Sequence, residues 1–163
     1  MNKSTFYIQE AISQANYALL SFEQYQGAYD QGDTKLVFYH LHHFVLHVTN
    51  IDKVLFPSRN TFRDNILNSV QHSAELDLKD IRRLRNHLEH FDERLDRYVK
   101  NYHGQAFFDN NLVTGTHGFP EEDYLRALDG NTYKFYGEDF ELNDIRSCLT
   151  PLIATLTKFI ENE

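Results

Sequence analysis

Apolar residues recur along most of this chain at steps of three and four, the spacing that gathers side chains on one face of an α-helix. Ile8, Ile12, Ala15, Leu19 and Phe22 form the first stripe, with Ser4 or Thr5 as cap and Gly27 or Gly32 as stop. Asp33 or Thr34 opens a second helix, whose stripe Val37, Leu41, Phe44, Val48, Ile51 and Leu55 runs unbroken to Pro57. Asn60 or Thr61 begins a third, with Phe62, Ile66 and Val70 on one face. Asp77 caps the fourth, whose seam Ile81, Leu84, Leu88, Phe91, Leu95, Tyr98 and Tyr102 predicts one continuous bundle helix.

Beyond Gly104 the period changes. Tyr124 to Leu128 and Thr132 to Tyr136 flank Asp129-Gly130-Asn131 and predict a β-hairpin; Phe107-Phe108 and Leu112-Val113 could add strands, and residues 114–118 read as loop. Asn143 caps a last helix through Ile145, Leu149, Leu152, Leu156 and Phe159, in which Pro151 either makes a kink or starts a second half. The expected architecture is mainly α: a four- to five-helix up-and-down bundle with a small antiparallel β insertion at about 105–140, before the C-terminal helix. With 163 residues, no internal repeat and no Pro/Gly/Ser linker, residues 1–163 read as one domain.

Composition narrows the function classes. Cys148 is the only cysteine, which excludes an intramolecular disulfide and a Cys-based zinc site. The first residues lack the apolar core of a signal peptide, and no apolar run reaches the roughly 20 residues of a membrane span, so a soluble cytoplasmic protein is expected. A net charge of −8 argues against coating nucleic acid over the whole surface, although Lys79, Arg82, Arg83 and Arg85 concentrate positive charge locally.

The fourth helix carries the chemistry. At about 100° per residue, Arg85 lies roughly 90° to one side of the apolar seam, while Asn86 and His90 share the outward face. A fixed guanidinium and an imidazole titrating near neutrality can handle a phosphodiester without metal: the imidazole moves protons and the guanidinium stabilises charge on the phosphate. Without a reacting partner, the same face could be solvated charge, with Arg85 pairing Glu89 and Arg94 pairing His90.

Arg85-Asn86-His87-Leu88-Glu89-His90 resembles the motif of the HEPN domains, small helical bundles marked by arginine, a polar residue and a following histidine; Phe91-Asp92-Glu93-Arg94-Leu95-Asp96 also looks like uncharacterised bacterial members. The resemblance spans the helical two-thirds of the chain. It implies a metal-independent endoribonuclease of toxin, phage-defence or RNA-processing type, needing no cofactor, with its site assembled where two subunits of a homodimer meet. Arg85 and His90 would be catalytic, with Asn86 and Glu89 supporting; RNA and an antitoxin or other protein would be partners. A non-catalytic HEPN-like module, binding a protein or nucleotide through the same face, is the alternative.

His40, His43 and His47 form a row on the second helix, about 100° from its apolar stripe. With His87 they could hold a metal, although neither a Glu-x-x-His nor a His-Glu-x-x-His pattern is present. Packing beside the core, or lining the same cleft as Arg85, are the other readings of these four histidines.

Overall fold

The computed structural model describes residues 2–57, 59, 62–73, 78–104, 108–115 and 124–162. Helix α1 (Lys3–Asp30) starts at Asn2, whose side chain accepts from the Ser4 amide at 3.5 Å, so the cap lies before both expected residues. It stops at Gly32, whose φ of +70° allows paired bonds: the Gly32 amide to the Tyr29 carbonyl at 3.0 Å and the Asp33 amide to the Ala28 carbonyl at 3.0 Å. Asp33 then caps α2 (Thr34–Leu55) by accepting from the Leu36 amide at 3.0 Å. One three-residue turn therefore ends one helix and begins the next.

The antiparallel α1/α2 pair forms the centre of the core. Ala11, Ala15 and Ala18 are fully buried and let the helices approach closely, while Phe22 meets Phe44 edge to face at 5.2 Å. Against this pair pack α3 (Phe62–Ser73), through Leu67 and Val70, and α4 (Leu78–Glu89), through Ile81 and Leu84. On α3 the expected face shifts, since Phe62 is exposed and Leu67 takes its place. Asn60, Thr61 and Asp77, the expected starts of α3 and α4, lie outside the described residues, as do Phe107 and residues 116–118.

The predicted fourth helix is two helices. His90, at φ −116° and ψ 31°, separates α4 from α5 (Phe91–Lys100). Neither Gly nor Pro causes this break. Tertiary contacts accompany it: the Phe91 ring sits 4.7 Å beneath the Arg126 guanidinium and 6.3 Å from Phe135. Beyond the break, Tyr98 is buried but Leu95 and Tyr102 of the expected seam are exposed, with Val99 beside them.

The insertion is larger than a hairpin. Strands β1 (Phe108–Val113), β2 (Tyr124–Asp129), β3 (Thr132–Phe135) and β4 (Glu138–Glu141) form a sheet in that order, antiparallel except for the parallel β1/β2 pair. The expected β2/β3 hairpin is present, with Gly130 at φ +57°. Tyr136 and Gly137, both at positive φ, turn β3 into β4. Leu128, Tyr133, Phe135 and Phe140 join the core.

The chain returns through α6 (Leu142–Ser147) and α7 (Leu149–Glu161). Glu141, not Asn143, precedes α6, and the helices part at Cys148, three residues before Pro151. Pro151 thus lies in the first turn of α7, where its missing N–H matters least. The fold is mainly helical with a small mixed sheet before its C-terminal helices, and no described helix is long and apolar enough to cross a membrane.

Candidate functional site

A cleft of about 400 Å³ lies where α4 crosses the C-terminal end of α2; Arg82, Arg85, Asn86, Glu89 and Asp52 line it together with Phe56 and Pro57. Asp52, the only acid of α2, is completely buried and accepts from Arg85 Nη1 at 3.1 Å and from Arg82 Nε at 3.3 Å. Arg85 Nε reaches Glu89 Oε1 at 3.2 Å, and Lys53 Nζ meets the same oxygen at 3.0 Å. Charges alternate along this chain of contacts, so each buried ion has an opposite partner. Burial pushes the Glu89 carboxyl up, but hydrogen bonds from Lys53 and Arg85 outweigh it and hold it below its ordinary range.

His90 is outside this cleft. Its side chain is half exposed, and Nδ1 lies 3.0 Å from Glu93 Oε1 one helical turn ahead. A carboxylate at Nδ1 favours the tautomer protonated there, which leaves Nε2 as the ring's acceptor nitrogen. The cleft therefore gathers Arg85, Asn86 and Glu89, while His90 stands beyond it with a carboxylate of its own. Two groups that matter were missed in the sequence. Asp52 had a weak signal, a single acid beside an apolar stripe; Glu93 had a plainer one, lying three residues after a helical histidine.

The other histidines separate into two environments. Within the row, His43 Nδ1 donates to the Tyr39 carbonyl at 2.7 Å, His47 Nδ1 contacts Gln14 Oε1 on α1 at 2.8 Å, and His40 packs against the Tyr39 ring at 5.1 Å. None of the three lines the Arg85 cleft. His87 is buried on the opposite side of α4, stacked on Phe135 at 5.0 Å, with Nε2 3.3 Å from Glu138 Oε1. Burial lowers its pKa first; Glu138 works against that shift, and the charges of Arg94 and Arg83 add to it. Among the described residues no group of three His, Cys, Asp or Glu could hold a metal ion, and His87 is no fourth ligand to the row.

The fold and site define a mainly helical protein with a buried ion network beside an exposed, carboxylate-oriented histidine. Comparison with family models, curated proteins and solved structures found no match.

Proposed function

We propose that the chain is an HEPN-like, metal-independent endoribonuclease of the cytoplasm, an up-and-down bundle acting as a homodimer with a composite site. The observation that carries this is the exposed His90 imidazole, oriented by Glu93 and given no role in its own core. Arg85 is held in the cleft by Asp52 and Glu89 while His90 stands outside it, and two chains can bring both kinds of group to one phosphate. His90 Nε2 takes the proton of a ribose 2′-hydroxyl, and the resulting oxygen attacks the adjacent phosphorus. The 5′-oxygen leaves with a proton from the imidazolium of the second copy, giving a 2′,3′-cyclic phosphate. Arg85 stabilises the charge on the phosphorane, Asn86 holds a phosphate oxygen, and Glu89 positions the guanidinium.

A surface suited to dimerisation follows His90 directly. Leu95 and Val99 of α5, with Tyr102 just past its end, expose an apolar stripe around buried Tyr98. Acidic Asp92 and Glu93 occupy the first turn and basic Arg97 and Lys100 the last, so antiparallel pairing of two copies places acid opposite base.

Purified protein in EDTA is expected to cut RNA to cyclic-phosphate ends, and His90→Ala to lose that activity while remaining folded. Full activity in folded His90→Ala sinks the assignment. Arg85→Lys is the better probe at the second position, because it keeps a cation beside Asp52. Arg85's engagement with Asp52 and Glu89 favours one rival, the non-catalytic module. That rival predicts no cleavage, and binding of a protein or nucleotide that Asn86→Ala weakens.

A further inference from the structure

A second cleft, of about 630 Å³, opens at the other end of α2, between its first turns and strands β1 and β2. Its size is ordinary for a small-molecule site. Lys35, Tyr39, His42 and His43 of α2 line it together with Asn110 of β1 and Arg126 of β2, and no carboxylate is among the described residues lining it. In a chain with a net charge of −8, a concavity whose described lining is this basic, with Asp109 already engaged on Arg126, calls for a separate explanation.

The parts are pre-organised. Asp109 holds the Nε/Nη2 edge of Arg126 at 2.8 and 2.6 Å, and the guanidinium stacks on Phe91, which leaves the Nη1 edge for a ligand. His43, donating through Nδ1 to the Tyr39 carbonyl, keeps Nε2 for other contacts. Its ring lies 4.4 Å from that of Tyr39, and Tyr39 is largely exposed, so the two present a ring surface at the rim. Strand β1 changes register at Asn110, whose φ is +56°; such bulges re-aim a side chain at some cost in backbone strain. Local charge has the same sign: His42 is held below its ordinary pKa by burial and then by the charges of His43 and Arg126.

We propose that this cleft binds a nucleoside phosphate, with Tyr39 and His43 stacking on the base while Lys35, Arg126 and the Asn110 amide hold the phosphate. Adjacent rings and clustered nitrogen donors match that ligand's two halves. The site is separate from the Arg85 cleft and does not depend on the cleavage reading.

Titration of the whole protein with AMP, followed by calorimetry and by the ring resonances of His42 and His43, tests the assignment. AMP is expected to bind saturably with a Kd near or below about 1 mM. Lys35→Glu and Tyr39→Ala should each weaken it by about tenfold; both residues are exposed, so both variants should fold. Adenosine alone and inorganic phosphate alone should bind more weakly than AMP. A short oligonucleotide binding more tightly than AMP through the same residues identifies a nucleic-acid chain as the source, and a weaker one identifies a free nucleotide. No saturable shift at the two histidines, affinity unchanged in both variants, or phosphate alone equal to AMP overturns the proposal.

Discussion

At the C-terminal end of α2, Arg82 and Arg85 both meet a buried carboxylate, while at the N-terminal end Lys35 and two imidazoles line a cleft without one. Roughly 20 Å of helix separates them, at about 1.5 Å per residue. The first arrangement is locally neutral and ties α4 to α2. At the second, Asp109 holds one edge of Arg126 and Asp33 caps the helix, while Lys35 adds a charge where the helix dipole is also positive. Cations of one chain thus serve two ends: some hold elements together, and others stay available to a ligand.

The largest expected effect tests the first half of that contrast. Asp52→Ala should cost about 3–5 kcal/mol, because it removes the buried carboxylate shared by Arg82 and Arg85 and leaves Arg85, itself mostly buried, with only the more exposed Glu89. Arg85→Ala leaves Asp52 with only the more exposed Arg82 and should cost about 3 kcal/mol. Urea denaturation measures both, and a loss below about 1 kcal/mol in each would mean that the network ties nothing together.

Acid sensitivity comes next. His42 and His87 have pKa values lowered in the fold from an unfolded value of 6.5, so the unfolded chain takes up their protons first as pH falls. Their contribution is fully present above pH 6.5 and is lost as pH drops from there towards the folded values. His87 faces Glu138 of β4 together with Arg83 and Arg94, and His87→Gln should flatten the slope of stability between pH 7 and 5. Carboxylates Glu89 and Glu138, lowered from 4.5, add their loss only below that window. An unchanged slope in His87→Gln would show that its buried imidazole contributes nothing to acid sensitivity. In the N-terminal cleft, bound AMP should raise the His42 pKa, as His90→Ala should not.

The helical stripes were legible because each is local: α1, α2 and the Gly32 turn follow from spacing and one glycine. Asp52 was not, since its partner Arg85 is 33 residues away and only tertiary packing joins them. For the same reason the parallel β1/β2 pair escaped a reading based on hairpins, and the break at His90 coincides with a tertiary contact, Phe91 meeting the sheet. The motif residues were legible, but their division between a buried network and an exposed imidazole was not. Nor was the N-terminal cleft, which joins a helix face to two strands about 70–90 residues later.

The smallest effect discriminates most sharply between the two ends. Lys35 occupies the first turn of α2, which contains no acid, so its charge opposes the helix dipole instead of complementing it. Nothing in the ion network of the other cleft depends on it. Lys35→Gln should therefore raise stability by roughly 0.5 kcal/mol at low salt, and the gain should fade towards 1 M salt, where screening shortens to about 3 Å. The same substitution should weaken AMP binding. Stability and binding moving in opposite directions is the signature of a cation kept for a ligand at some cost to the fold. A destabilised Lys35→Gln would instead make Lys35 a structural charge like Arg85, and the distinction between the two ends of α2 would collapse.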